Sequence, residues 1–149
     1  MLEIGNQVPD FIGKTNEGDW QLSKQLGKKV VIYFYPRDNT PGCTTESNDF
    51  NAYLKDFETK NTVIVGVSND DLVKHKKFSD KYGFNFPLIA DEDKRICELF
   101  GVYQLKKFMG KEFMGIVRST FLIDETGKLQ QVWRKVRVKG HVQAVLSEL

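Results

Sequence analysis

One short segment, residues 30–35, constrains the fold more than any other part of this sequence. It reads Val-Val-Ile-Tyr-Phe-Tyr and is closed by Pro36, and such a continuous run of strand-forming residues indicates a strand buried on both faces. Apolar side chains then recur at helical spacing, namely Phe50, Tyr53, Leu54 and Phe57. A second apolar segment, residues 62–68, follows that helix. Strand, helix and strand in this order predict a right-handed βαβ unit with two parallel strands.

The rest of the chain continues the alternation of strands and helices. Asn69 or Asp70 is a suitable cap for a helix over residues 71–82, and Asn16-Glu17-Gly18 suits the turn of an early hairpin over residues 11–22. The other predicted elements are a strand over 86–90, a helix around 96–100, strands over 119–124 and 128–134, and a closing helix over 142–149. We therefore expect an α/β fold in which helices flank a mixed central sheet, with an N-terminal β-hairpin. No repeat or linker divides the chain, so one domain spanning residues 1–149 is expected.

Composition and charge argue against several classes of function. The chain has 22 lysine and arginine residues against 20 acidic residues, and a net charge of +2 is too balanced to capture nucleic acid or an anionic membrane. It shows no signal-peptide pattern and no run of about 18 apolar residues, so the cytoplasm is the expected location. The two histidines, His75 and His141, lack the spacing of metal ligands and are expected at the surface. We therefore expect neither a metal nor another cofactor.

Cys43 is the strongest candidate for chemistry. The only other cysteine is Cys97, so the chain has no disulfide framework and free thiols are expected. Cys43 follows the loop after the first buried strand, at the edge of the sheet where α/β proteins place their functional crevice. It also begins the next helix, whose positive end stabilises an anion and favours ionisation of a thiol. Cys43 is therefore predicted to react as a thiolate.

A cation close to the sulfur would add to this effect, and two arginines are candidates. Arg118 directly precedes the predicted strand 119–124, and a guanidinium stays charged at every relevant pH and can hold both a thiolate and an oxygen. Arg37 is nearer in sequence, but it lies in an exposed-looking loop, where a solvated arginine is the simpler interpretation. We therefore predict Arg118 as the partner of Cys43.

The residues around Cys43 resemble a known family. The pattern Pro36-x-x-x-Thr40-x-x-Cys43 is similar to the active-site signature of peroxiredoxins. The longer string 33–44 resembles the branch known as bacterioferritin comigratory protein or peroxiredoxin Q. Strings similar to that branch also occur at residues 8–11, 91–93, 100–102 and 118–124. The resemblance therefore covers nearly the whole chain.

This resemblance implies a thioredoxin-like fold, a hydroperoxide substrate and a monomer. It implies that Cys43 attacks the terminal peroxide oxygen and becomes a sulfenic acid, while Thr40 hydrogen-bonds the thiolate and the substrate. Pro36 would shield the thiolate from water, and Arg118 would stabilise the charge on the oxygens. Glu46 would not contact the substrate but would pair with an arginine of the site. Such donors help most where O–O cleavage places negative charge on the leaving oxygen.

The sequence departs from this branch at one position. Many members carry a second, resolving cysteine five residues after the first, where this chain has Asn48. Three routes for removing the sulfenic acid stay open: Cys97, a cysteine of another molecule, or an external thiol such as thioredoxin, glutaredoxin or a small thiol. Cys97 lies beside the apolar stripe of a predicted helix, and free cysteines are among the most buried residues, so a structural Cys97 is expected.

Other functions of a reactive cysteine fit the sequence less well. A thiol-disulfide oxidoreductase would need Cys-x-x-Cys, but Glu46 stands three residues after Cys43. A cysteine phosphatase would need an arginine where Asp49 stands, and a cysteine hydrolase would need a histidine that the sequence does not place near Cys43. A redox sensor or holdase of the same fold, without efficient turnover, stays open as an alternative.

Two surface features complete the pattern. The segment 108–114 mixes lysine and glycine with Phe108, Met109, Phe113 and Met114. These apolar side chains could line an entrance for peroxide, but covering the sheet is the simpler expectation. Three lysines are expected to form a solvated helix face, namely Lys74, Lys76 and Lys77.

Overall fold

The computed structural model describes residues 2–149 of the chain. Its helices are α1 (Pro41–Ala52), α2 (Leu54–Thr59), α3 (Leu72–Tyr82), α4 (Arg95–Leu99) and α5 (His141–Ser147). Its strands are β1 (Ile12–Thr15), β2 (Gly18–Gln21), β3 (Lys29–Phe34), β4 (Thr62–Ser68), β5 (Leu88–Ala90), β6 (Tyr103–Phe108), β7 (Lys111–Ile116), β8 (Ser119–Ile123) and β9 (Leu129–Arg134). Within residues 2–149, no helix has both the length and the apolar character needed to cross a bilayer.

The central sheet is mixed, as the sequence predicts. Its five strands run in the order β5-β4-β3-β8-β9. Strand β4 is parallel to both β3 and β5, whereas β8 is antiparallel to β3 and β9. Strands β1 and β2 form the predicted N-terminal hairpin. The α/β fold with a helix-flanked mixed sheet is therefore confirmed.

Strand β3 divides the apolar core into two clusters, because its side chains alternate between the two faces of the sheet. Val30, Ile32 and Phe34 belong to the cluster that includes residues of α4. Val31 and Tyr33 belong to the cluster that includes residues of α1, α2, α3 and α5. All five side chains are buried, which confirms that this strand is covered on both faces.

Three local details differ from the sequence-based expectations. The cap of α3 is Asp71, whose carboxylate accepts a main-chain hydrogen bond, because Asp70 is engaged with the loop after β3. Strand β5 begins only after Pro87, which has no N–H to contribute to a ladder. The helix after Cys43 is divided into α1 and α2 at Tyr53, whose φ of −97° and ψ of 8° lie outside the helical range.

The largest difference is a hairpin that the sequence analysis did not predict. Strands β6 and β7 form a separate two-stranded antiparallel sheet. Its two-residue turn is Met109-Gly110, where both residues have positive φ, as a tight hairpin turn requires. The expectation that the apolar residues of 108–114 cover the central sheet is wrong. They stand on this hairpin and are exposed.

Candidate active site

The chain places Cys43 by ending β3 and starting α1 with a loop of six residues, 35–40. Pro41 is the first residue of α1 and Cys43 is the third, so the thiol lies in the first helical turn. The hydroxyl of Tyr33 on β3 shares a buried hydrogen bond of 2.8 Å with Ser47 on α1. This bond fixes the position of the helix, and of its thiol, on the sheet.

A buried polar network holds the loop before Cys43. Asp38 is its centre, because its carboxylate accepts a hydrogen bond from the Tyr35 hydroxyl at 2.6 Å and contacts Nδ1 of His75. The main-chain N–H of Asp38 donates to Asp70 at 2.8 Å. Nε2 of His75 lies 2.9 Å from the carbonyl oxygen of Ile89, to which it donates. The expectation of a surface His75 is therefore wrong, since its side chain is fully buried in this network.

Three side chains of this network, Asp38, Asp70 and His75, place possible metal-ligand atoms within 4.8 Å of one another. Both ring nitrogens of His75 already have hydrogen-bond partners. Nε2 must carry a proton to donate to the carbonyl oxygen of Ile89, so it cannot bind a metal at the same time. Asp70 accepts from the hydroxyl of Ser68 at 2.7 Å as well as from the loop. The cluster therefore supports the loop through its own hydrogen bonds.

The Cys43 sulfur faces the guanidinium of Arg118. Nη2 of Arg118 donates to Sγ at 3.2 Å, and Nη1 donates to Oε1 of Glu46 at 2.7 Å. Gly42 makes room for this arrangement, because a Cβ at that position would lie only 3.1 Å from Nη2. One arginine, Arg118, therefore bridges the thiol and a carboxyl group from the same helix, and so brings together three of the predicted site residues.

The charges of this group depend on its burial. Glu46 is fully buried, and burial raises the pKa of its carboxyl to about 7, although Arg118 partly opposes the effect. Burial also works against the charge of Arg118, but Glu46 and Cys43 outweigh it and raise the pKa of the guanidinium. Oε2 of Glu46 has no hydrogen-bond partner among the described residues. The Glu46 carboxyl that pairs with Arg118 therefore takes up a proton at a pH of about 7.

His141 belongs to the same buried group, so the expectation that it lies at the surface is wrong. Its Nε2 lies 2.8 Å from the hydroxyl of Thr120 and 4.0 Å from Oε2 of Glu46. Burial, with a smaller contribution from Arg118, lowers the pKa of His141 to about 4. The sequence does contain a hint of this burial, because His141 is the first residue of a helix with an apolar stripe.

The predicted site residues meet at one open cleft of about 900 Å³. Its lining includes Pro36, Thr40, Cys43 and Arg118. The hydroxyl of Thr40 donates to the carbonyl of Arg37 at 2.9 Å. Cys43 is only 1% exposed, so its sulfur lies at the bottom of the cleft with almost no solvent contact. Arg37 itself is exposed, as expected.

Cys97 lies far from this arrangement in the fold. It belongs to the core cluster on the α4 side of the sheet, whereas Cys43 belongs to the cluster on the α1 side. Its side chain is fully buried, and burial followed by the neighbouring Asp91 raises the pKa of its thiol well above the usual range. Both cysteines are free. The prediction that Cys97 is buried is confirmed.

The fold and the site together define a class of protein. A thiol at a helix N-terminus, bound to a guanidinium at the edge of a mixed α/β sheet, is the arrangement of a cysteine-dependent redox enzyme. Comparison with known proteins identifies the family. Residues 4–132 match the AhpC/TSA family. The chain belongs to this family and is a peroxiredoxin, a thiol-dependent peroxidase.

Three relatives illustrate the similarity. The peroxiredoxin Bcp of Bacillus subtilis is 48% identical over 149 residues, which cover 99% of this chain and 95% of that protein. The bacterioferritin comigratory protein of Xanthomonas campestris, studied for its alkyl peroxide reduction, has a structure with a TM-score of 0.91 at 44% identity, covering 99% and 95% of the two chains. The peroxidoxin BcpB of Mycobacterium tuberculosis has a TM-score of 0.87 at 32% identity, covering 99% and 96%. The predicted thioredoxin-like peroxiredoxin fold is therefore confirmed.

Proposed function

We propose that Cys43 reduces hydroperoxides by forming a sulfenic acid. The thiolate sulfur attacks the terminal oxygen of the substrate, an S–O bond forms and the O–O bond breaks. The leaving oxygen takes up a proton and departs as an alcohol, or as water when the substrate is hydrogen peroxide. The sulfur loses two electrons and the peroxide gains them. The observation that carries this proposal is the 3.2 Å contact between Nη2 of Arg118 and Sγ of Cys43.

Arg118 stabilises the charge that moves during this step. Its guanidinium contacts the sulfur before the reaction and borders the cleft in which the peroxide oxygens would lie. A donor that is already in place needs no reorganisation when negative charge reaches the leaving oxygen. Glu46 acts as a positioning residue, because its 2.7 Å hydrogen bond to Nη1 aims the other nitrogen at the sulfur.

Thr40 and Pro36 complete the site on the loop side. The Thr40 hydroxyl donates its proton to a main-chain carbonyl, so its oxygen is free to accept a hydrogen bond from the O–H of a peroxide. This hydrogen bond supports a substrate-binding role for Thr40. Pro36 lines the same cleft as Cys43, and its apolar ring would limit the access of water to the sulfur. The main-chain N–H of Cys43, in the first helical turn, supplies a further donor.

The wall of the cleft suits organic hydroperoxides as well as hydrogen peroxide. The residues that line the cleft include four apolar ones, Phe108, Phe113, Met114 and Ile116. An alkyl group could pack against these side chains while the peroxide group reaches Cys43. The similar protein of Xanthomonas campestris, studied for alkyl peroxide reduction, supports this substrate class.

An external thiol resolves the sulfenic acid. Cys97 lies on the other face of the sheet, and Asn48 occupies the position of the nearby resolving cysteine. A thiol of thioredoxin, glutaredoxin or a small molecule would attack the Cys43 sulfur, release water and form a mixed disulfide, which a second thiol then reduces. Because Cys43 is 1% exposed, a protein thiol can reach it only after the first turn of α1 opens. We place this cycle in a cytoplasmic monomer that acts as one domain.

Peroxide consumption tests this proposal. Turnover is measured with dithiothreitol, and separately with thioredoxin and its reductase, for the parent protein, Cys43→Ser and Cys97→Ser. We expect turnover to be lost in Cys43→Ser and retained in Cys97→Ser. Loss in both variants, with both folded, would make Cys97 the resolving residue. A parent protein that consumes peroxide once and then stops would indicate a sensor instead.

A further inference from the structure

The β6–β7 hairpin exposes an unusual amount of apolar surface beside the active-site cleft. Phe108 is 67% exposed and Met109, at the tip of the turn, is 86% exposed. Leu105, Phe113 and Met114 on the same hairpin are also exposed. Exposed apolar side chains concentrated on one short hairpin mark an interaction site more often than scattered single residues do.

These apolar side chains stand on both faces of the hairpin. Leu105 pairs with Met114 across the two strands, whereas Phe108 and Phe113 point to the opposite face because they are an odd number of residues away. A folded protein partner with a flat surface would cover only one of these faces. A lipid headgroup layer would surround the tip of the hairpin and cover both.

The charges on the hairpin suit an anionic surface. Its residues 103–116 include three lysines and one glutamate, in contrast to the near balance of the whole chain. Lys106 donates to the hairpin's own backbone, and Lys107 pairs loosely with Glu112 at 3.4 Å. Lys111 makes no ion pair among the described residues and lies next to the apolar tip. Two copies of such a hairpin would repel each other, whereas anionic lipids would attract it.

We infer that the β6–β7 hairpin docks on the surface of membranes that contain anionic phospholipids and presents the cleft to lipid hydroperoxides. Phe108, Phe113 and Met114 of the hairpin line the cleft that contains Cys43, so docking brings the reactive sulfur to the lipid boundary. The open edges of a two-stranded hairpin keep its backbone hydrogen-bonded to water, which limits insertion to the headgroup region. The docking is therefore peripheral and reversible. The choice of substrate rests on the proposed peroxidase function.

Vesicle sedimentation tests the docking. The probes are vesicles of phosphatidylcholine alone and of phosphatidylcholine with phosphatidylglycerol. The test variant is Lys107→Gln/Met109→Asn/Lys111→Gln, in which asparagine suits the positive φ of residue 109. The matched control is Lys24→Gln/Leu26→Asn/Lys28→Gln, which likewise replaces two lysines and one apolar residue at another exposed segment.

We expect the parent and the control to bind the anionic vesicles, less well at high salt, and to bind pure phosphatidylcholine weakly. Each lysine near an anionic surface contributes about fivefold in affinity, so the test variant should bind at least about 25-fold more weakly. No binding of the parent to the anionic vesicles, or equal binding by the test variant, would overturn the inference. Self-association of the parent that the test variant loses, without vesicle binding, would assign the hairpin to a second copy of the chain and overturn it too.

Two activity assays separate this inference from the proposed function. With hydrogen peroxide, the parent and both variants should turn over equally, because none of the substituted residues contacts Cys43. With phospholipid hydroperoxide in anionic vesicles, the test variant alone should be slower. Vesicle binding by a parent that consumes no hydrogen peroxide would refute the peroxidase and the lipid-hydroperoxide substrate. Equal rates on phospholipid hydroperoxide for all three proteins would overturn the link between docking and catalysis.

Discussion

The buried residues Glu46 and His141 should make opposite contributions to the pH dependence of the free energy of unfolding. Burial raises the pKa of Glu46 from 4.5 to about 7 and lowers the pKa of His141 from 6.5 to about 4. Between pH 4.5 and 6.5 the unfolded chain therefore carries the proton on the imidazole, and the folded protein carries it on the carboxyl. Folding in this window moves one proton between the two groups without changing their total.

The two residues act on stability with opposite signs. The folded state holds the Glu46 proton more tightly than the unfolded state, so this contribution is present at low pH and is lost as pH rises from 4.5 to about 7. The folded state disfavours a proton on His141, so this contribution is present above pH 6.5 and is lost as pH falls to about 4. Each corresponds to about 3 kcal/mol at 1.36 kcal/mol per pKa unit. In the window that they share, the two slopes cancel.

Single substitutions should uncover the two slopes. The free energy of unfolding is measured by urea denaturation from pH 4 to 7.5 for the parent, Glu46→Gln and His141→Gln, since glutamine keeps a hydrogen-bonding group at each position. Relative to the parent, Glu46→Gln should gain about 3 kcal/mol as pH rises from 4.5 to 7, and His141→Gln should gain a similar amount as pH falls from 6.5 to 4. Parallel curves for the parent and Glu46→Gln would refute the reasoning.

Three further substitutions test the geometry of the site. Gly42→Ala would place a Cβ 3.1 Å from Nη2 of Arg118, displace the guanidinium and slow peroxide reduction at least about tenfold in a stopped-flow assay. Arg118→Lys cannot bridge Cys43 and Glu46 at once, and loss of one donor should slow the same reaction about 10²-fold. Asp38→Asn removes the carboxylate partner of a buried imidazole and should destabilise the protein by about 3 kcal/mol in urea denaturation.

The substitutions at Gly42 and Arg118 each have a control. Thr45→Ala changes an exposed side chain in the same part of α1 as Gly42, and Arg37→Lys changes an exposed arginine of the active-site loop. Both should react with peroxide at the rate of the parent. Equal slowing by Thr45→Ala, or by Arg37→Lys, would contradict the role given to the guanidinium of Arg118. A fully stable Asp38→Asn would show that the loop does not depend on its buried network.

The sequence predicts the central elements well, because their apolar patterns are continuous and local. The segment 30–35 and the helical spacing of 71–82 correspond to β3 and α3 within about one residue. The β6–β7 hairpin lacks such a pattern, since lysines and glycines interrupt its apolar residues. A two-residue turn at Met109-Gly110 is also a weak signal without an asparagine or aspartate before the glycine.

The site residues could be predicted where they belong to a recognisable motif or flank a predicted strand. They could not be predicted where their contacts are distant in sequence. Cys43 and Glu46 lie on one helix, and Arg118 directly precedes β8, the strand antiparallel to β3. The two histidines are different, because what buries them is distant in sequence. His75 meets Asp38, 37 residues earlier, and His141 meets Thr120, 21 residues earlier. No spacing rule within a single sequence indicates such contacts.

The central claim is that the Cys43 sulfur is the nucleophile that attacks the peroxide and takes one of its oxygen atoms, and a single-turnover experiment tests it most directly. The reduced protein is mixed with one equivalent of hydrogen peroxide in the presence of dimedone, which traps sulfenic acids, and the modified residue is located by mass spectrometry. We predict one dimedone adduct on Cys43 in the parent and in Cys97→Ser, and no adduct in Cys43→Ser. An adduct on Cys97, or peroxide that persists in contact with the reduced parent, would contradict the account.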